Sequence, residues 1–255
     1  MSLRGFASLL SFLTIIPARR HDIEEASKSF YLVPLIGLIT GVITVLPLIF
    51  IDKPMLSAII ATSITYIVTG FIHLDGLADF MDALASGRRG TNAIKVMKEP
   101  WRGTYAVVAV SLCILLTYVS MLELRSLPLA ILISYVMIYE SMFILAIISP
   151  KPNHKGLGRV FIDNAKRPHS LLKNIVTLTC TLIGVIIASH VVMLGIDVEL
   201  SIRLTLLSLT TLISTSLITL KLAKRLIGYV SGDVLGFNLE ICRSLTLLIL
   251  ALLIT

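Results

Sequence analysis

Apolar residues fall in long blocks along this chain, and the blocks are long enough to cross the roughly 30 Å hydrocarbon layer of a bilayer as helices. They recur near residues 30–51, 55–72, 105–123, 127–149, 171–193, 201–220 and 237–255. This predicts an all-α fold, a polytopic membrane helix bundle of about seven transmembrane helices. Ahead of the first block, Arg4 is followed by GFASLLSFLTIIP. Residues 3–16 are expected to form a short interfacial or re-entrant helix that stops at Pro17. No small-x-small cleavage pattern follows, so this stretch is not read as a signal peptide. Neither a second soluble domain nor a low-complexity linker interrupts the pattern. Residues 1–255 are therefore one membrane domain, with polar loops near 73–104, 150–170 and 221–236 expected to form the active site.

Composition excludes an ordinary soluble domain: 56% of residues are apolar, 15% are charged, and the mean hydropathy is +0.95. Charge placement adds direction. With the N-terminus inside, Arg4, Arg19, Arg20, Lys28, Arg88, Arg89, Lys95, Lys98 and Arg102 fall on that side, as do Lys151, Lys155, Arg159, Lys166, Arg167, Lys173, Lys221, Lys224 and Arg225. The opposite side has Lys53, Arg125 and Arg203, and Arg243 lies inside the last block. Such a bias predicts an odd number of spans in the cell membrane, with the N-terminus and the three loops cytoplasmic. The net charge of +7 is then concentrated on one face, where it attracts anionic lipid or a phosphorylated substrate. Cys113, Cys180 and Cys242 lie in apolar stretches without metal-ligand spacing and read as core residues.

Charge first gathers in HLDGLADFMDAL, His73 to Leu84. On a helix Asp75, Asp79 and Asp82 stand at roughly 0°, 40° and −20° about the axis, on one face, whereas His73 points nearly the opposite way. There a structural hydrogen bond is its simpler reading, and substrate binding is the alternative if the helix starts at Leu74. Three adjacent carboxylates repel one another unless a cation joins them, and a hard divalent ion takes such oxygens. A solvated helix face is the simpler alternative, but it leaves unexplained why acids collect at a membrane boundary. The three loops combine glycines with cations: Lys98 and Arg102 beside Gly103 in the first, and Gly156 and Gly158 with Arg159 in the second. In the third, Lys221, Lys224 and Arg225 stand ahead of Gly228 and Gly232, and Asp233 lies in a Gly-Asp-x-x-Gly turn. Glycine lets backbone N–H groups approach an anion, and Lys or Arg binds phosphate. Carboxylates and cations on one side of a bilayer supply metal-assisted phosphoryl transfer. Asp233 and Glu240, two helical turns apart, could both point inward, and Glu240 with Arg243 three residues on could equally form a structural ion pair.

FLTIIP, PLIGLITG, HLDGLADFMDAL, VMKEPWRGTYAV, GLGRVFI and GDVLGFNLE occur in an order that resembles the adenosylcobinamide-GDP ribazoletransferase (cobalamin synthase) family, from about residue 6 onward. The resemblance implies a transferase that joins adenosylcobinamide-GDP to α-ribazole, or its 5′-phosphate, with release of GMP and help from Mg²⁺. It implies that Asp75, Asp79 and Asp82 hold metal and diphosphate, that Asp233 and Glu240 occupy the acidic positions of the last motif, and that Gly156, Gly158 and Phe161 match the second loop. The implied partners are these small molecules and the lipid bilayer, with no nucleic acid; a homo-oligomer is compatible with it. Departures from the family pattern are Glu99 for Asp, Pro100-Trp101 before Arg102, and Arg243 for a Glu. One expectation is that charge was exchanged between helices, with Arg243 near Glu140. A CDP-alcohol phosphatidyltransferase is the rival enzyme, but Ala78-Asp79 stands where that family has Ala-Arg. A transporter is disfavoured because no internal repeat is visible and the acids cluster at one loop.

Overall fold

A computed structural model describes residues 3–18, 21–150, 156–193 and 198–254; Arg19, Arg20, Lys151 and Lys155 lie outside the described residues. The described chain is helical, without strands. In order the helices are α1 (Leu3–Leu13), α2 (Ile23–Lys28), α3 (Val33–Phe50), α4 (Pro54–Val68), α5 (Ile72–Ala85) and α6 (Thr91–Met97). Then come α7 (Thr104–Glu123), α8 (Pro128–Ile148), α9 (Leu157–Ala165), α10 (Pro168–Met193), α11 (Val198–Leu226) and α12 (Gly232–Ile254). Six are long and apolar enough to cross a membrane, and the bent pair α4–α5 makes a seventh if counted as one span. The expected polytopic bundle is what the chain forms.

Helix α8 is the axis. It packs against α3, α10, α11 and α12, and 78% of its apolar window is buried, against 17% for α10 at the rim. Gly37 and Gly41 let α3 lie directly on α8: a Cβ at Gly37 would stand 2.4 Å from the Tyr135 carbonyl oxygen. Hydroxyls then tie the helices together. Tyr135 Oη and Thr65 Oγ1 are 2.5 Å apart, Thr65 and Thr44 3.2 Å, and Tyr66 Oη reaches Thr117 at 3.0 Å.

Between Val68 and Ile72 the chain breaks direction by 84°. Gly70 and Phe71 both adopt left-handed backbone, at φ +59° and +62°, and Phe71 bears the strain that a side chain brings to that region. The expected span over 55–72 therefore stops early, and α5 leaves it sideways with its carboxylates at the end of the bundle. At the same end Ile15 N–H donates to the Val68 carbonyl (2.8 Å), Gly90 N–H to that of Leu226 (2.7 Å) and Lys166 Nζ to that of Ile147 (2.8 Å). At the other end Arg125 clasps the carbonyls of Ile51 and Asp52 at 3.0 and 3.1 Å. Short helices α1, α2, α5, α6 and α9 thus gather at one end.

Two expected boundaries shift. Lys221, Lys224 and Arg225, expected in a loop, finish α11, where cations complement the carbonyl end of a helix. Gly232 begins α12, five residues before the expected 237, because the Ser231 hydroxyl accepts the Val234 N–H at 3.3 Å as an N-cap. Gly-Asp-x-x-Gly is therefore a first helical turn.

Candidate active site

The site begins with glycines that allow close approach. A Cβ on Gly76 of α5 would stand 2.7 Å from the Asp233 carbonyl oxygen, and one on Gly158 of α9 would stand 2.5 Å from the Gly232 nitrogen. Together with Gly236 against His73, these contacts bring α5, α9 and the start of α12 to one place. Gly158 thus owes its place to packing, and Gly156 precedes α9 in extended backbone.

On this frame Asp75 and Asp79 each turn an oxygen to the same cation. Arg102 donates through Nη2 to Asp75 and through Nη1 to Asp79 at 2.5 Å. Burial opposes its charge, yet Asp75, Asp79 and Asp82 together raise its pKa above the ordinary guanidinium value. Asp82 lies on the same face but has another duty: it accepts the backbone N–H groups of Gly103 at 2.6 Å and Ala106 at 2.9 Å. Helix α7 starts at a glycine with no capping side chain, so Asp82 acts as its cap from outside and fixes the residue next to Arg102.

Asp233 divides two hollows. Outward lies a cleft of about 310 Å³ that it shares with Lys98, Arg159, Tyr229 and Ser231. Arg159 pairs with Asp163 at 3.3 Å, a half-exposed i,i+4 contact of the kind that contributes little to stability. Inward lies a cavity of about 270 Å³ lined by Phe12, Phe30, Phe161, Met142 and His73. His73 is buried, its ring edge-on to that of Tyr139 with centroids 6.2 Å apart.

Glu240 does not join this group. It is wholly buried deeper in α12, with both oxygens on Arg243 Nη1 at 2.8 and 2.7 Å. The expected approach of Arg243 to Glu140 is corrected as well: Glu140 accepts from Asn174 Nδ2 at 2.9 Å. Each charge found a partner elsewhere, Arg243 one helical turn away on its own helix.

The profile of the family described as "Cobalamin-5-phosphate synthase" matches residues 5–251. The chain belongs to the cobalamin-5-phosphate synthase family. Its relatives include proteins named adenosylcobinamide-GDP ribazoletransferase from Fusobacterium nucleatum (30% identical, 94% of each chain covered) and Chlorobaculum tepidum (29%, 98% of this chain and 96% of the relative). Another, from Treponema denticola, is 28% identical over 94% of each. No solved structure matches. For this cobalamin-5-phosphate synthase family member, sequence reasoning missed two things: that Arg102 joins Asp75 to Asp79, and that the Phe12, Phe30 and Phe161 rings meet. Both are contacts between residues far apart in the chain. Phe12 and Phe161 do stand in two of the quoted motifs, which was the available signal.

Proposed function

We propose that the chain is a membrane transferase that joins adenosylcobinamide-GDP to α-ribazole, or to α-ribazole 5′-phosphate, and releases GMP. The observation that carries this reading is that Asp75 and Asp79 share one cation within electrostatic reach of Asp233, which lines the Lys98 and Arg159 cleft, in a chain of this family. A ribose hydroxyl attacks the phosphorus attached to cobinamide, the new P–O bond forms as the bond to GMP breaks, and the hydroxyl proton passes to a carboxylate of the Asp group. Lys98, Arg102 and Arg159 offset the phosphate charge and stabilise departing GMP.

Mg²⁺ would be held by Asp75 and Asp79, whose oxygens are close enough to share one guanidinium through its two terminal nitrogens; among the described residues no group of three Asp, Glu, His or Cys could hold a metal unaided. Magnesium is commonly bound by one or two carboxylates plus substrate phosphates, so two are enough. When bound, the ion would screen the diphosphate oxygens. Asp82 supports the site by holding the chain at Gly103, and Asp233 borders the cleft. The basic end of the bundle faces the cytoplasm in this reading, in keeping with the distribution of Lys and Arg.

Asp79→Asn removes an anionic ligand with almost no change in volume. It is expected to lower turnover about 100-fold or more, the order of loss seen when one preorganised electrostatic contact to the transition state is removed, while the protein stays folded in membranes. Near wild-type turnover of adenosylcobinamide-GDP and α-ribazole by the variant at saturating Mg²⁺ would refute the assignment.

A further inference from the structure

We propose that the inner cavity beside Asp233 is the pocket for the benzimidazole base of ribazole. The proposal rests on the transferase reading and assigns one substrate's base to one part of the site. The walls are aromatic and close-fitting. Phe12 stacks on Phe161 with ring centroids 4.8 Å apart and planes 24° apart, and Phe30 meets Phe161 edge-on at 5.1 Å and 85°. Met142 adds a pliable apolar surface, suited to the face of a flat ring.

One buried polar group in the lining lacks a partner. His73 is 3% exposed, and its Nε2 is buried with no hydrogen bond. Such an atom is costly to leave unpaired, and a ligand atom that completes it gains the difference. Ribazole is a ribosyl benzimidazole: its base is bicyclic, apolar at the edges, and has a single free ring nitrogen, an acceptor. With a proton on Nε2, His73 donates to that nitrogen. Guanine fits poorly, because its carbonyl, amino and ring N–H groups would be buried against apolar walls without partners. A corrinoid is far too large for about 270 Å³.

The connection to the outer cleft completes the assignment. Leu157, Gly158, Gly232 and Asp233 line both hollows, so a base seated inside leaves its ribose at their junction. The hydroxyls then meet Asp233, and the diphosphate of the other substrate lies toward Lys98 and Arg159. The pocket sets which acceptor is used, and the cleft takes the nucleotide.

The test uses the full chain in lipid nanodiscs. Labelled 5,6-dimethylbenzimidazole is titrated against wild type and Met142→Trp, which fills the cavity with a larger ring. Saturable binding to wild type, weakened about tenfold or more in M142W, is expected. In turnover, M142W should raise KM for α-ribazole about tenfold and leave that for adenosylcobinamide-GDP within about twofold. If M142W does not fold, wild type alone decides: the free base must compete with α-ribazole and not with adenosylcobinamide-GDP. Absence of saturable binding to wild type, or competition with adenosylcobinamide-GDP instead, overturns the pocket assignment. Wild type that binds the base but transfers nothing between the two substrates overturns the transferase reading and leaves the pocket standing.

Discussion

Two arginines show how side chains of one type divide between chemistry and architecture. Arg102 is partly exposed, shared between Asp75 and Asp79, and in the proposed reaction would turn to an incoming phosphate. Arg243 is sealed inside, its guanidinium 5.3 Å from the ring centre of Tyr66 and 6.0 Å from that of Tyr135, with Glu240 as its counter-charge. Its Nε and Nη2 have no hydrogen-bond partner, so the pair is already under-satisfied. Removing one member leaves an uncompensated buried charge, at a cost of about 3–5 kcal/mol. Glu240→Gln is thus expected to lower the melting temperature sharply, and Glu240→Leu with Arg243→Met together should recover most of the loss. Equal melting temperatures for E240Q and wild type would show that the pair contributes nothing.

Helices are placed by their ends. Asp82, at the far end of α5 from the turn at Phe71, anchors the first N–H groups of α7, so one carboxylate aligns two helices. Asp82→Ala should destabilise the protein by about 1 kcal/mol through loss of this cap, whereas Asp82→Asn keeps one of the two acceptor oxygens and should melt between Asp82→Ala and wild type. Thermal unfolding of both in one detergent separates the cap from any role in catalysis, which both variants would lose together. Which helices cross the membrane could be read from the blocks of apolar residues, since burial in lipid or in α8 demands the same side chains. The break at Gly70-Phe71 could not, because Phe71 and Ile72 are as apolar as the span before them. The Asp75, Asp79 and Asp82 face followed from helical spacing alone. Arg102 as their shared partner did not, since 27 and 23 residues of chain separate it from Asp75 and Asp79 and no local rule joins them. Glu240 closes the GDVLGFNLE motif, and of the two readings open to it the structure shows the ion pair with Arg243, two turns of helix deeper than Asp233.

Across the bundle, one end gathers five short helices and most of the described Lys and Arg, and the other has the short α3–α4 and α7–α8 connections and the Arg125 clasp. The helix leading into the acid-bearing end is short. Helix α4 has 15 residues, or about 22 Å at 1.5 Å per residue. A typical hydrocarbon layer is about 30 Å thick, so α4 by itself falls short of it, and a thicker bilayer would pull α4 inward. Since α5 departs from α4 at 84°, any such pull displaces the Asp75 and Asp79 pair relative to the head groups. Initial rates in vesicles of uniform head group should therefore be higher with 14-carbon than with 22-carbon acyl chains, in keeping with a mismatch of roughly 8 Å; identical rates would refute this coupling. On this expectation acyl-chain length, a property of the surrounding membrane, becomes a variable in the transferase's rate.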